Sequence, residues 1–146
     1  MDNIIIRNVE ENDLHSVAQL YKIFWGDEQY PEKMKAKFKE LQNNNNYIFL
    51  CATVNGQAIG TLMGIICDEL YGECRPFMVM EDLVVHDNFR KMKIGTNLLR
   101  TLEMIGKERG CCQILFMTEM NRTSTISFYE SLGYNSKANV GFKKKL

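Results

Sequence analysis

The chain has 146 residues, of which 45% are hydrophobic and 25% charged, a composition typical of one soluble globular domain. Its 18 basic and 18 acidic side chains give a formal net charge of zero. This balance argues against broad nucleic-acid binding, which normally requires an excess of Lys and Arg.

Other exclusions come from the cysteines and from the apolar runs. The five cysteines form no CxxC pair and the two histidines are isolated, so neither a metal site nor a disulfide framework is expected. No run approaches the roughly 20 apolar residues of a membrane span, and MDNIIIRN lacks the apolar core of a signal peptide. We therefore expect a cytoplasmic protein that binds no membrane.

The first third of the sequence predicts a strand and two helices. IIIRNV at 4–9 is a short strand pattern. Asn12 or Asp13 can cap the first helix, whose apolar face is formed by Leu14, Val17, Ala18, Tyr21 and Phe24. Pro31 suits the first turn of the second helix, whose apolar side carries Met34, Phe38 and Leu41.

The middle of the chain predicts a hairpin and a third strand. YIFLCATV and QAIGTLMGIIC are joined by Asn55-Gly56, a dipeptide that favours a type I′ turn. After the loop at 68–76, FMVMEDLVV at 77–85 reads as a strand interrupted by Glu81 and Asp82. Since adjacent strand residues face opposite sides, only one of these acids should face a given cleft.

The last third predicts a helix, a strand, a helix and a final strand. The third helix has an apolar stripe and ends near Gly110, with Ile94, Leu98, Leu99, Leu102 and Ile105 on that stripe. CCQILFMT reads as a strand covered on both faces, a fourth helix spans about 123–132, and VGFKKKL adds a strand. Residues 1–146 are therefore predicted to form one α/β or α+β domain.

Two motifs stand about 40 residues apart in the second half. RKMKIG at 90–95 lies between a strand and a helix, and FYESLGY at 128–134 lies on the fourth helix. In this order the sequence resembles the GNAT superfamily of acyl-CoA-dependent N-acetyltransferases, whose two signatures are R/Q-x-x-G-x-G/A and a helix with F/L-Y-E before a glycine. The resemblance covers nearly the whole chain. It implies a central mixed, mostly antiparallel sheet flanked by about four helices.

The resemblance implies that the first motif holds the pyrophosphate of acetyl-CoA, with no metal. The amides at a helix N-terminus bind anions, and the segment concerned comprises Arg90, Lys91, Met92, Lys93, Ile94, Gly95 and Thr96. Lys93 replaces the first glycine of the signature, and Asn121 and Arg122 stand where the family often binds the pantetheine arm. Taken without the second motif, the segment reads equally well as a solvated basic turn around Gly95.

The resemblance also implies the catalytic residues. Tyr129 would protonate the departing thiolate, and its structural alternative is a core tyrosine. Glu81 would act as the general base, directly or through water, and its structural alternative is an ion pair with a neighbouring basic side chain. The backbone of Leu83, Val84 and Val85 would bind the pantetheine amides and the thioester carbonyl. Cys111 and Cys112 have no base beside them in the sequence, so an acyl-enzyme is not expected.

The acceptor is expected to be a primary amine of a small molecule or a peptide. Acids and aromatics suit a cationic amine, and the segments that line the acceptor site in the family contain Trp25, Asp27, Glu28, Tyr30 and Tyr71. A non-catalytic acyl-CoA-binding module is the alternative, favoured by Lys93 alone. Members of the family often dimerise, so a homodimer is a further expectation.

Overall fold

The computed structural model describes residues 3–146. Its elements are β1 (Ile5–Asn8), α1 (Leu14–Trp25), α2 (Pro31–Leu41), β2 (Tyr47–Val54), β3 (Gln57–Cys67), β4 (Phe77–Val85), α3 (Ile94–Glu108), β5 (Ile114–Leu115) and α4 (Thr123–Ser131). Short 3-10 turns precede α1 and follow β4. The predicted α/β fold, with a mixed sheet and four helices, is confirmed.

The five strands lie in the order β1-β2-β3-β4-β5. The first three neighbouring pairs are antiparallel, and only β4 and β5 run parallel. The predicted hairpin joins β2 to β3 through Asn55 and Gly56, whose φ angles are 49° and 78°. Positive φ at both central residues is the requirement of a type I′ turn, so the sequence prediction holds here.

Helix α1 packs on one face of the sheet and is tied to β1 by an ion pair. The buried cluster beneath α1 and α2 consists of Val9, Leu14, Val17, Leu20, Phe38, Cys51, Ala58 and Val84. Asp13 is the N-cap residue of α1, but its side chain does not cap that helix. Its carboxylate instead accepts hydrogen bonds from Arg7 at 2.6 and 2.9 Å and from the Glu10 amide at 2.8 Å.

Helix α3 packs close to the sheet over two glycines of β3. A Cβ atom at Gly64 would lie 2.5 Å from Cδ1 of Leu102, and one at Gly60 would lie 3.1 Å from Cγ2 of Ile94. Leu98, Leu99 and Leu102 of α3 are completely buried. The missing side chains of the two glycines therefore set the distance between helix and sheet, and with it the position of the α3 N-terminus.

Two predicted strands differ from those observed. CCQILFMT forms only the two-residue strand β5, because its pairing with β4 is limited to Met78–Ile114 and Val79–Leu115. Leu115 is 41% exposed, so the strand is not covered on both faces as expected. The C-terminal VGFKKKL is not a strand, and Val140 and Phe142 are 79% and 91% exposed. Apolar composition alone does not provide a pairing partner.

The contacts divide the chain into two compact units. One ends at Leu115 and contains the sheet with α1, α2 and α3, and the other is Phe116–Leu146 and contains α4. None of the helices within residues 3–146 combines the length and apolarity that a bilayer-spanning helix needs.

Candidate active site

Strand β4 contains a bulge at the two acids that the sequence analysis singled out. Met63 of β3 pairs with Glu81, whereas Thr61 pairs with Val84, so two steps along β3 match three along β4. The extra residue is accommodated at Asp82, whose φ is 57°. A left-handed residue in a strand re-aims the side chains around it. The simple alternation expected for Glu81 and Asp82 therefore fails at this point.

Beyond Val79 the outer edge of β4 has no strand beside it among the described residues. Its parallel partner β5 ends at Leu115, opposite Val79. The edge from Met80 to Val85 includes the backbone of Leu83, Val84 and Val85, the three residues predicted to bind the pantetheine arm. Unpaired backbone N–H and C=O groups are strong hydrogen-bonding sites, so this edge can bind an extended ligand.

The two acids of β4 differ in environment. Glu81 is exposed and Asp82 is half-buried. Burial raises the pKa of the Asp82 carboxyl above its ordinary value. Burial, followed by the negative charge of Asp82, raises the pKa of Glu81. A carboxylate with a raised pKa is better matched to proton transfer near neutral pH, and Asp82 is the more buried of the two acids.

Asp82 lines an open cleft of about 340 Å³ together with residues from α1 and the loop after it. We call this the acidic cleft, and its lining is Tyr21, Trp25, Asp27, Gln29 and Asp82. Trp25 packs edge-on against Phe24 at 4.8 Å between ring centroids and lies 5.4 Å from the Tyr21 ring. The aromatic wall is thus held by contacts within α1.

Tyr21 is the half-buried tyrosine of the acidic cleft. Its hydroxyl can both donate and accept hydrogen bonds. Burial, and then the charge of Asp82, raises the Tyr21 pKa, which keeps the phenol neutral.

The predicted acceptor residues are distributed unevenly around this cleft. Trp25 and Asp27 line it, whereas Glu28 and Tyr30, in the same loop, do not. Tyr30 is 58% exposed and lies beneath the ammonium group of Lys33, 4.9 Å from its ring centroid. Tyr71, in the loop between β3 and β4, is 83% exposed. The structure therefore brings two of these five residues to the cleft.

Sequence reasoning missed Tyr21 and Gln29, and it weighted Glu81 above Asp82. Tyr21 belongs to the predicted apolar face of α1, and its place in that pattern indicated a core residue. Its hydroxyl could have been a signal, because a buried phenol needs a polar partner. The position of Asp82 depends on the bulge in β4. No residue pattern in FMVMEDLVV predicts that bulge.

The segment RKMKIG forms an irregular turn that leads into α3. Lys91 and Lys93 have φ angles of 66° and 60°, whereas Met92 between them does not have a positive φ. Alternation of this kind turns successive backbone N–H groups toward one side and forms an anion-binding concavity. Lys93 is therefore in the left-handed conformation that a glycine would adopt freely, and it is the N-cap residue of α3.

The first turn of α3 leaves amide groups available to a ligand. Lys93 makes no side-chain capping bond, and the helical ladder begins with the Asn97 amide donating to the Lys93 carbonyl at 2.9 Å. Arg90 forms an ion pair with Asp87 at 2.7 Å, while Ile94 is buried and fixes the helix to the core. The amides from Lys91 to Thr96 are the groups that an anion would meet.

In the unit formed by Phe116–Leu146, Tyr129 lies within a cluster of aromatic rings. Its ring centroid is 4.4 Å from that of Phe116 and 5.2 Å from that of Phe128. Tyr129 is 9% exposed, and burial raises its pKa to about 12. Arg122 is the N-cap residue of α4 and pairs with Glu119 at 3.0 Å, and Asn121 beside it is exposed.

Burial keeps the thiols of two cysteines protonated. Cys51 is completely buried, and burial raises its pKa to about 12. Burial also raises the pKa of Cys111, and a protonated thiol is a poor nucleophile. In the described part of the chain, no group of three or more His, Cys, Asp and Glu side chains could hold a metal ion.

Residues 14–134 match the model of the acetyltransferase (GNAT) family. An uncharacterized N-acetyltransferase from Methanocaldococcus jannaschii is 29% identical over 138 residues, which are 90% of this chain and 61% of that protein. The chain thus spans less than two thirds of the length of this relative.

Solved structures share the fold at lower identity. A putative acetyltransferase from Agrobacterium tumefaciens str. C58 has a TM-score of 0.90 at 21% identity, covering 97% of this chain and 99% of that one. An aminoglycoside N-acetyltransferase in complex with CoA has a TM-score of 0.83 at 21% identity, covering 99% and 96%.

Proposed function

Since the chain belongs to the GNAT family of acetyltransferases, we propose that it transfers an acetyl group from acetyl-CoA to a primary amine of a small molecule or peptide. The observation that carries the proposal is the turn at Lys91 and Lys93, which has two positive φ angles before the N-terminus of α3. The family signature has a glycine at the position of Lys93, and this chain keeps there the left-handed backbone that glycine adopts freely.

Acetyl-CoA would be held by backbone groups more than by side chains. The amides from Lys91 to Thr96 would bind the pyrophosphate, with the charges of Lys91 and Lys93 adding attraction. The open edge of β4 at Leu83–Val85 would bind the pantetheine arm, and Asn121 or Arg122 is proposed to assist. A related structure that contains CoA has the same fold, which supports this choice of cosubstrate.

Acetyl-CoA would supply the acetyl group as a thioester, and the amine nitrogen would form the amide bond as the C–S bond breaks. An ammonium must first lose a proton, and we assign this step to the β4 acids, with Glu81 and Asp82 as candidates. Direct attack is favoured over an acyl-enzyme, because burial raises the pKa of the Cys51 and Cys111 thiols. The second proton that the amine nitrogen loses as the amide forms goes to the departing thiolate, which leaves as the free thiol.

Tyr129 is proposed as the group that stabilises the departing sulfur. Its pKa of about 12 exceeds that of an ordinary thiol, about 8.5, so full proton transfer is uphill. A hydrogen bond from the neutral phenol to the developing thiolate does not require that transfer. The raised pKa keeps Tyr129 protonated at neutral pH, so the phenol can donate this hydrogen bond.

The test combines binding and turnover. We expect acetyl-CoA to raise the melting temperature, because it binds the folded chain alone, and thiol release to follow when amines are added. Tyr129→Phe should lower kcat by roughly 100-fold with little change in acetyl-CoA affinity. Tyr47→Phe, a substitution in β2 outside the site, is the matched control and should retain activity.

Each outcome separates the alternatives. Absence of any acetyl-CoA effect on melting would contradict the assignment as a whole. Binding without thiol release, over amines, amino acids, aminoglycosides and peptides, would favour the non-catalytic acyl-CoA-binding module. Full activity of Tyr129→Phe would remove this residue from the mechanism while leaving the enzyme intact.

A further inference from the structure

The acidic cleft is rich in hydrogen-bond acceptors. Asp27 and Asp82 provide carboxylates, and the Tyr21 hydroxyl can accept as well as donate. Gln29 donates from Nε2 to the Asp27 carbonyl at 3.2 Å, which leaves its Oε1 atom available. Trp25 is the one lining residue whose side chain has a donor and no acceptor. A ligand with several N–H donors therefore matches this surface.

The charges of the cleft sharpen this requirement. Its lining contains two acids and neither Lys nor Arg, so a ligand carboxylate or phosphate would meet repulsion without compensation. Asp82 has no hydrogen bond or ion pair within residues 3–146, and burial disfavours its charge. A cation in the cleft would supply the missing partner. The aromatic faces of Tyr21 and Trp25 add a cation–π surface.

The cleft is open to solvent and has a volume of about 340 Å³. That volume lies at the lower end of the roughly 300–1,000 Å³ typical of small-molecule sites, so a compact amine fits it. The two acids come from different elements, Asp82 from β4 and Asp27 from the loop after α1, so they present two separate anionic points.

We propose that the acceptor is a small dicationic amine without a carboxylate, whose reacting ammonium binds Asp82 and whose second cationic group binds Asp27. The proposal rests on the proposed acetyltransferase function and specifies its substrate class. One amine becomes an amide and loses its charge, while the other stays protonated and remains bound to Asp27. A diaminoalkane is the simplest molecule with this chemistry.

Four probes with one carbon skeleton isolate the features that matter. They are 1,4-diaminobutane, 1-aminobutane, 4-amino-1-butanol and ornithine, which adds a carboxylate to the diamine. We expect kcat/KM for 1,4-diaminobutane to exceed that for each of the other three by roughly tenfold or more, the value of one charge-assisted contact. The diaminopropane and diaminopentane homologues would measure the spacing between the two sites.

Substitutions of the two acids test which of them binds which amine of 1,4-diaminobutane. Asp27→Asn should bring the ratio of kcat/KM for 1,4-diaminobutane over 1-aminobutane close to one. Asp82→Asn should depress kcat/KM for both probes. Glu40→Gln is the matched control: Glu40 pairs with Lys37 on the exposed side of α2 at 2.6 Å, and the ratio should stay at its wild-type value. Circular dichroism establishes that each variant is folded.

A binding measurement makes the result independent of turnover. Titration calorimetry without acetyl-CoA should detect 1,4-diaminobutane binding that weakens in Asp27→Asn and that salt reduces. If acetyl-CoA binds but 1-aminobutane or ornithine is used as well as the diamine, the dicationic acceptor is wrong and the acetyltransferase stands. If acetyl-CoA neither binds nor reacts, the proposed function itself is wrong.

Discussion

At the scale of single residues, Lys93 carries a backbone conformation that its side chain disfavours. Its φ of 60° places Cβ close to the following carbonyl, a conflict that costs a non-glycine residue roughly 1 kcal/mol. The signature of the family has glycine here, and this chain keeps the conformation without it. Substitutions of Lys93 can therefore show how much the left-handed conformation affects stability and acetyl-CoA binding.

We expect Lys93→Gly to stabilise the folded chain by about 1 kcal/mol relative to Lys93→Ala, because both changes remove the charge but only glycine relieves the strain. For a chain of this length that corresponds to a melting temperature higher by about 2–4 °C. Lys93→Gly should also bind acetyl-CoA more tightly than Lys93→Ala. Thermal melts and calorimetry measure both quantities. Equal melting temperatures in the two variants would mean that the turn is not strained.

The residues of the cleft also show where sequence reasoning ends. Trp25 and Asp27 were predicted because they lie in segments that line the acceptor site in the family and because aromatics and acids suit a cation. Both line the cleft. Asp82 joins them through a bulge that depends on the pairing of β3 with β4. Such a bulge is a shift in the register between two strands, so it cannot be predicted from the sequence of β4 alone.

At the scale of elements, the sequence predicted all four helices within one or two residues. The first three carry an apolar stripe and end signals, whereas Tyr129 is the one buried residue of α4. The β2–β3 hairpin was equally readable from Asn55-Gly56. The apolar run CCQILFMT and the C-terminal tail were not, since a strand exists only where a partner supplies hydrogen bonds. The sequence thus predicted the conformation that a segment favours, but it did not predict which strand the segment pairs with.

The packing of α3 on β3 yields a prediction at this scale. Gly64→Ala should destabilise the fold by about 1–3 kcal/mol, because the new Cβ would lie 2.5 Å from Cδ1 of the fully buried Leu102. Urea denaturation measures the change. Gly106→Ala, within α3, is the control: its Cβ would lie 3.4 Å from Cε of Met78, and alanine favours a helix.

A second substitution identifies the cause of the Gly64→Ala effect. In the background of Leu102→Val, which removes the Cδ atoms, the same change at Gly64 should cost clearly less. Equal costs in the two backgrounds would show that the clash with Leu102 is not the source. Since the α3 N-terminus forms the proposed pyrophosphate site, Gly64→Ala is also expected to weaken acetyl-CoA binding.

At the scale of the whole molecule, stability and the proposed chemistry conflict at one place. The chain has no net charge, so no strong overall field acts on an ionised side chain. Asp82 is half-buried, and burial raises its pKa. Sites prepared to bind a charged ligand commonly reduce the stability of the free protein. The charge of Asp82 should therefore lower the free energy of unfolding of the entire chain.

The sign follows from proton linkage. A raised pKa means that the folded chain binds the Asp82 proton more tightly than the unfolded chain, whose carboxyl titrates near its ordinary value of 3.8. Ionised Asp82 therefore destabilises the fold above its folded pKa, and this penalty fades as the pH falls toward the unfolded value. Asp82→Asn should raise the free energy of unfolding at neutral pH, and the gain should shrink steadily as the pH falls to about 4.

Urea denaturation of wild type and Asp82→Asn over this pH range measures the difference, and Glu81→Gln is the comparison variant. Glu81 is the more exposed of the two acids, so its substitution should change stability less at every pH. A stabilised Asp82→Asn protein that has also lost turnover would locate the trade between stability and activity at this carboxylate. A gain that stayed constant with pH would show that the charge of Asp82 is not what destabilises the free protein.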